Sequence, residues 1–271
     1  MWEGSQAPWR MYEMIAIRSE REIDLLRQAN AIVAKAHQCA YKMIQPGVST
    51  RDIDKEVEKI IRESGGYPAF KGYRGFPAAT CISLEEEVVH GIPGKRKLRA
   101  GDIVSVDIGV CYKGYYGDAA ATHPCGAVDA LRLKLMDVTD VALARAIRVA
   151  HAGNYLNDIG VIIEQTSHDA GFDVVRDFVG HGIGLEMHED PQILNFDNGS
   201  PGPRLKTGMV LAIEPMITAG GGAVRVKKDG WTVVTRDGKP SAHFEHSIVV
   251  REDAGEILSW CDVPRWGDRQ D

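Results

Sequence analysis

Apolar positions follow two periods along this chain. From Ile23 through Ile44 they recur at helical spacing, behind a capping-box start in which Ser19 is followed three residues later by Glu22; Pro46-Gly47 ends the run. A second helix is predicted from near Thr50 to Gly65-Gly66, then a loop-rich stretch from Tyr67 to Thr80 carrying Pro68, Gly72, Gly75 and Pro77. The pattern then changes to strand. A short strand is predicted at Cys81-Ile82-Ser83, followed by the segment Val88-Val89-His90-Gly91-Ile92-Pro93. Ile103, Val104, Val106 and Ile108 are apolar and mostly β-branched, so they read as a buried strand. Lys113-Gly114 returns the chain into a partner strand as a hairpin. Helices resume from about Asp129 to Ala152 and from about Asn157 to Ala170. The last hundred residues read as strands and turns, closing at Ser247-Ile248-Val249-Val250.

The order helix, helix, strands thus occurs twice. Gly47 matches Gly153, Asp52-Ile53 matches Asp158-Ile159, Glu58 matches Glu164 and Gly65 matches Gly171, all offset by 106. Gly101 with Gly208, and Asp107 with Glu214, follow at an offset of 107. Such a repeat is far longer than a solenoid period. It predicts two similar halves across a pseudo-twofold axis, with Asp107 and Glu214 meeting from opposite sides.

Charge enters the picture where it breaks the apolar pattern. Asp107 lies inside the buried run, where a lone carboxylate is strongly disfavoured. The hairpin brings Asp118 back eleven residues later, and the two acids are expected side by side. Like charges that close need a partner, and a divalent metal is the obvious one. Glu214 ends the apolar run Met209 to Ile213, and Glu245 interrupts the strand from Ala242 to Val249. His181 sits in Gly180-His181-Gly182-Ile183-Gly184, whose glycines let backbone and ligand approach closely. Each acid alone could be a structural ion pair; two Asp, two Glu and a His embedded in strands and glycine turns are harder to explain that way. His37, His123, His151 and His168 have no acidic motif around them and read as satisfied core or surface residues. Four carboxylates and one imidazole are too many for a single tetrahedral zinc and suit two divalent ions. The oxygen-rich set favours Mn²⁺, Fe²⁺ or Co²⁺ over a thiolate-type site.

Composition narrows the class. A length of 271 residues allows one large domain or two small ones, and 44% hydrophobic residues is ordinary for a globular chain. A net charge of -6 gives no support for a nucleic-acid-binding face. No apolar run reaches 18 residues, so no membrane span is expected. Met1 to Arg10 has two Trp and no apolar core, unlike a secretory signal. The five Cys are scattered, odd in number and without a C-x-x-C, which points to a reducing cytoplasm. None is placed as a metal ligand.

Asp107, Asp118, His181, Glu214 and Glu245, with His90 in Val-His-Gly-Ile-Pro, resemble the signature of the type I methionine aminopeptidases, in subfamily A of the M24 peptidases. Phe70-Lys71-Gly72-Tyr73, Ile213-Glu214-Pro215-Met216, Lys228-Asp229-Gly230-Trp231-Thr232-Val233 and Phe244-Glu245-His246-Ser247 extend the resemblance over residues 12 to 251. The resemblance implies an α/β (α+β) pita-bread fold: two pseudo-symmetric halves with a curved antiparallel sheet covered by helices. A single catalytic domain would occupy 12–251, with halves at about 19–122 and 129–250, an N-terminal extension at 1–11 and a C-terminal tail at 252–271. The 33 residues from His181 to Glu214 leave no room for the helical insertion of type II enzymes.

The implied activity is hydrolytic removal of the initiator methionine from nascent chains whose second residue is small. By resemblance Asp107 binds one metal, His181 and Glu214 the other, and Asp118 and Glu245 bridge them. The ions, Co, Mn, Fe, Zn or Ni, activate water for attack on the first residue's carbonyl. Glu214 shuttles its proton toward the leaving nitrogen, and His90 and His188 contact the scissile amide and stabilise the oxyanion. Phe70, Tyr73, Phe76, Cys81, Met187 and Trp231 match the methionine pocket. A monovalent cation near the rim, transient ribosome contact and a cytoplasmic monomer are also implied. Lys95-Arg96-Lys97 with Arg99 is the candidate basic patch, and a solvated loop is its simpler explanation. Two departures stand out: Glu85 where an Asn is usual, and Arg74 where a smaller polar residue or His is common. Both bear on rim detail and the monovalent-cation site. An X-Pro peptidase on the same fold and a non-enzymatic binding module are the competing readings. The first usually carries a separate N-terminal domain; the second typically loses ligands.

Overall fold

The computed structural model describes residues 15–263; the 1–11 extension and the end of the C-terminal tail lie outside them. Four helices form where the apolar spacing predicts: α1 Glu20–Met43, α2 Thr50–Glu63, α3 Ala130–Val149 and α4 Leu156–Asp169. Their starts are chemically fixed. Ser19 and Glu22 form the capping box of α1, Ser49 accepts the Asp52 amide at α2, and Asp129 accepts the Arg132 amide at α3. The strands of the first half are β1 Tyr67–Pro68, β2 Cys81–Leu84, β3 Glu87–Val89, β4 Ile103–Tyr112 and β5 Tyr115–Pro124. Those of the second are β6 Asp173–Val174, β7 Gly180–Gly182, β8 Glu189–Ile193, β9 Val210–Ile213, β10 Met216–Thr218, β11 Val224–Val226, β12 Val233–Thr235, β13 Ser241–His243, β14 Glu245–Val250 and β15 Gly255–Ile257.

The main sheet is antiparallel, in the order β1-β4-β5-β14-β9-β7-β8, with β2 also on β4 and β15 also on β14. It curls, and helices cover its convex side. Val104, Val106, Ile108 and Val110 of β4 pack on Ile32, Val33 and Ala36 of α1 and Ile53, Val57 and Ile61 of α2. Leu211, Ile213, Ile248 and Val250 pack on α3 and α4 through Leu135, Leu143, Ile159 and Ile163. Strand alternation therefore sends the other face of β4 and β5, with Asp107 and Asp118, to the concave side.

The two halves repeat in detail. α2 and α4 begin and end 106 residues apart. Gly47 and Gly153 (φ 92 and 97), Gly65 and Gly171 (φ 81 and 82), and Gly101 and Gly208 (φ 98 and 91) adopt the same left-handed turn in each half.

Three details differ from the sequence reading. Asp107 and Asp118 are diagonal neighbours, because Asp107 pairs with Ala120 and Asp118 with Gly109. The Lys113-Gly114 hairpin, left-handed at both residues, sets that register. The loop from Tyr67 to Thr80 contains β1 and a 3₁₀ turn at Tyr73–Gly75. Residues 255–257, expected in the tail, form β15 and pair Ile257 with Ile248, because Ile257 and Leu258 add apolar cover to the sheet.

Candidate active site

All five predicted ligand residues converge on the concave face where the halves meet. Asp107 comes from β4, Asp118 from β5, His181 from β7, Glu214 from the end of β9 and Glu245 from the start of β14. Ligand atoms of Asp118, His181 and Glu245 lie within 4.8 Å of one another. His181 Nε2 is 3.6 Å from Glu214 Oε1. The His181 Nδ1–H donates to the Gly182 carbonyl at 2.9 Å, which fixes the tautomer and leaves Nε2 as a free lone pair facing the carboxylates. Glycine makes this approach possible: side chains at Gly180 and Gly182 would strike the backbone of Ala212 and Asp190.

Among the described residues, no lysine or arginine pairs with these carboxylates. Asp107 Oδ1, Asp118 Oδ1 and Glu245 Oε1 are buried without any hydrogen bond. Burial pushes the Asp107 and Glu214 carboxyls up to about 7. Asp118 and Glu245 are raised too, by burial first and then by the neighbouring acids. Orphaned, mutually repelling oxygen donors beside one imidazole nitrogen fit a divalent-cation site in donor type, number and proximity. The strands that carry them are clamped: Ser247 Oγ donates to the Asp118 carbonyl at 2.7 Å and accepts the Asp118 amide at 3.1 Å.

A closed apolar cluster adjoins this centre. It gathers all six residues predicted for the methionine pocket: Phe70, Phe76, Cys81 and Met187 buried, with Tyr73 and Trp231 packed against them. Gly109 joins the two regions. It shares the face of Asp107, and a side chain there would overlap Met187 and Phe70. The Cys81 thiol is held well above its ordinary pKa by burial and then by Asp107, so it stays protonated and apolar in character.

His90 and His188 lie beside the centre. His188 stands 4.3 Å, ring to ring, from His181, and its Nδ1 is 2.9 Å from the Tyr73 hydroxyl. Glu189 fixes the preceding turn by accepting the Leu185 and Glu186 amides while binding Arg18 at 2.5 Å. His188 is exposed at the mouth, yet burial of its inner side favours the neutral ring, pushed down to about 3. His90 has left-handed backbone (φ 59), and burial lowers it to about 4. Its ring lies 5.6 Å from Phe178 and 6.4 Å from Trp231.

The sequence reading missed Phe178, Ile92 and Tyr116 beside the pocket, and missed His243 altogether. His243 is 2% exposed, and its Nε2 sits 3.4 Å from Glu214 Oε2 without a hydrogen bond. Its position two residues before Glu245 was the available signal. Thr122 Oγ1 accepts the His243 amide at 2.9 Å and donates to its carbonyl at 2.8 Å. The histidines read as structural behave so: His37 donates to the Ala119 carbonyl at 2.9 Å, and His123 packs edge-on against Tyr41. Glu85 turns its carboxylate to Arg132 and the Ile103 amide.

A curled sheet of two related halves enclosing orphaned acids and an imidazole has the makings of a metalloenzyme centre. Comparison with known proteins narrows this. The sequence profile of metallopeptidase family M24 matches residues 24–252. Methionine aminopeptidase 1 of Bacillus subtilis (strain 168) is 46% identical, with 91% of this chain and 99% of that one covered. A methionine aminopeptidase of Clostridium perfringens (strain 13 / Type A) is 45% identical at the same coverage. The crystal structure of a Thermotoga maritima methionine aminopeptidase superposes with a TM-score of 0.89 at 46% identity, covering 91% of this chain and 99% of that one. Prolidase from Pyrococcus furiosus, 22% identical over 92% of this chain and 67% of its own, shares the fold with a TM-score of 0.74. The chain belongs to metallopeptidase family M24, and within it to the group whose members are named methionine aminopeptidases.

Proposed function

We propose that this chain is a metal-dependent aminopeptidase that removes the initiator methionine from new polypeptides when the second residue is small. The observation that carries the reading is the orphaned carboxylate–imidazole cluster lying against a closed apolar cluster on one face of β4. Asp107, Asp118, His181, Glu214 and Glu245 would hold two divalent ions, from among Mn, Fe, Co, Zn and Ni, with a monovalent cation at the rim. When bound, such ions supply Lewis acidity toward a peptide carbonyl and lower the pKa of water.

The chain's own residues do the rest. Glu214 lies 3.6 Å from His181 Nε2 and 3.4 Å from His243 Nε2, at the edge of the acid cluster, and is the residue we assign as the proton shuttle toward the leaving nitrogen. With the Tyr73 hydroxyl donating to His188 Nδ1, Nε2 keeps its proton and can donate to the carbonyl oxygen as charge develops. His90, also held neutral by burial, is the second residue we assign to the scissile amide. The apolar cluster excludes water and suits an unbranched thioether through dispersion and sulfur–aromatic contacts. The partners are nascent N-termini, met by a cytoplasmic monomer in transient contact with the ribosome. Lys95, Arg96, Lys97 and Arg99 are the candidate contact, although Arg96 already meets Glu87 at 3.4 Å.

The test is a tripeptide panel on the Mn²⁺-loaded protein. Met-Ala-Ser should be cleaved well. Leu-Ala-Ser should fall behind by roughly 10–200-fold, the worth of about 1–3 kcal/mol in an apolar pocket. Met-Leu-Ser should be refused sterically. Preference for Ala-Pro-Ser would replace the reading with an X-Pro peptidase, and no cleavage of any peptide would leave a binding module.

A further inference from the structure

One cation at the mouth of the site has no role in the reaction above. Arg74 is the exposed middle residue of the 3₁₀ turn Tyr73–Gly75, with left-handed backbone at φ 49 and ψ 22. Long side chains rarely adopt that conformation. The turn imposes it: Gly72 (φ 86) and Gly75 (φ 92) flank it with the same hand, and the Gly72 amide donates to the Phe76 carbonyl at 2.8 Å. The guanidinium carbon lies 5.4 Å from the centre of the Tyr73 ring, whose hydroxyl bonds His188. The charge of Arg74 is among the influences that keep His188 neutral. Other arginines around the site are neutralised: Arg18 by Glu189, Arg132 by Glu85, Arg96 by Glu87. Arg74 forms no ion pair among the described residues.

A peptide whose first side chain fills the apolar cluster can leave past His188, whose exposed ring touches both His181 and Tyr73. Its next residues then run beside Tyr73 and Arg74. We propose that Arg74 is a specificity-determining residue that reads the peptide beyond the cleaved bond and favours a carboxylate at the third residue. This rests on the aminopeptidase reading. The second residue, pressed between the acids and the two histidines, is held small; the third is the first one free to carry charge. A planar guanidinium fork matches a carboxylate in two-point contact, and an unpaired one has no existing bond to break. Because the site is solvated, the effect is modest and sensitive to salt.

The experiment uses the Mn²⁺-loaded protein and the amidated peptides Met-Ala-Asp-NH₂, Met-Ala-Asn-NH₂ and Met-Ala-Lys-NH₂, so that the third side chain carries the only variable charge. The wild type should rank them Asp over Asn over Lys in kcat/KM, with Asp and Lys about 5–10-fold apart. The difference should lie in KM and shrink as salt screens it. Arg74→Asn, which tolerates the left-handed backbone, should flatten the ranking, and Arg74→Glu should invert it. An Asp-to-Lys ratio that is the same in the wild type and in Arg74→Asn, or equal rates on all three peptides in the wild type, would overturn the proposal. Failure of the metal-loaded wild type to cleave any of the three would instead remove the aminopeptidase reading, and this one with it.

Discussion

Two groups of acids lie beneath the surface of this protein and are treated in opposite ways. Glu87 is 8% exposed, and its carboxylate meets Lys227 Nζ at 2.6 Å, Arg96 Nη1 at 3.4 Å and the Leu84 amide at 3.0 Å. Glu85 is likewise bound by Arg132 and the Ile103 amide. Asp118 and Glu245 lie deeper still, with Asp107 and Glu214 beside them, and no lysine or arginine of the described residues pairs with any of the four. An uncompensated buried charge costs several kcal/mol. Four in one place are all ionised at neutral pH only where a counter-charge arrives from outside the chain; without it their carboxyls are pushed toward the protonated form. A buried acid with its partner built in supports the fold; one whose partner is missing marks a ligand.

Substitution at the two groups should therefore have opposite consequences. Asp118→Asn should strip metal from the protein and lower turnover about a thousandfold, the equivalent of several kcal/mol of Lewis-acid stabilisation. The metal-free form should melt no lower than the metal-free wild type. Glu87→Gln should keep its metals and lose about 1–3 kcal/mol of stability, since Lys227, Arg96 and the Leu84 amide lose part of their partner. Metal content and thermal melts on both variants decide this; identical behaviour would dissolve the contrast.

His188→Ala sharpens the contrast from the other side. His188 touches the centre without belonging to the orphaned set, so turnover should fall about 10²–10³-fold with metal content unchanged. Metal loss equal to that of Asp118→Asn would move His188 into the ligand set.

The next effect is on pH. Asp107 and Glu214, raised to about 7, carry protons below that pH in the metal-free protein. Metal binding has to displace them, so apparent affinity should weaken as pH falls from 7.5 to 5.5, by up to about tenfold per pH unit for each proton released. For the metal-free chain the sign is the reverse of a paired acid. Raised carboxyls destabilise only once the unfolded state ionises, so their penalty is absent below about 4 and grows toward 7. His37 and His246, lowered to about 4, oppose this; the stability they provide is lost as pH falls from about 6.5 toward 4. Calorimetric titration of metal in two buffers counts the protons released on binding, and His37 and His246 add none because they stay neutral across that range. Affinity that is flat with pH would contradict the assignment.

The smallest effect lies at the boundary between the two clusters. Gly109→Ala should crowd Met187 and Phe70, costing about 1–3 kcal/mol of packing, and should raise KM for Met-Ala-Ser more than it lowers kcat. Unchanged KM would separate the apolar cluster from the substrate.

Much of this contrast was legible in the chain, because it rests on local patterns. A charge inside a β-branched run exposes Asp107, glycines on both sides expose His181, and the offset of 106 brings out the related helices. Partners distant in sequence were not legible. Nothing near Glu87 indicates Lys227, and nothing near Glu85 indicates Arg132, so these acids could not be told from ligands by position alone. His243 and Phe178 escaped for the same reason: one is defined by its approach to Glu214, the other by its approach to His90. The diagonal placement of Asp107 and Asp118 followed from hairpin register, which the turn residues specify only once both strand ends are known.

The most direct test is anomalous scattering from crystals of the protein equilibrated with Mn²⁺. Two peaks should appear on the concave face of the sheet, both enclosed by Asp107, Asp118, His181, Glu214 and Glu245, with none at Glu85 or Glu87. No peak among the five residues, or peaks at the ion-paired acids instead, would contradict the claim that the orphaned carboxylates are a metal centre.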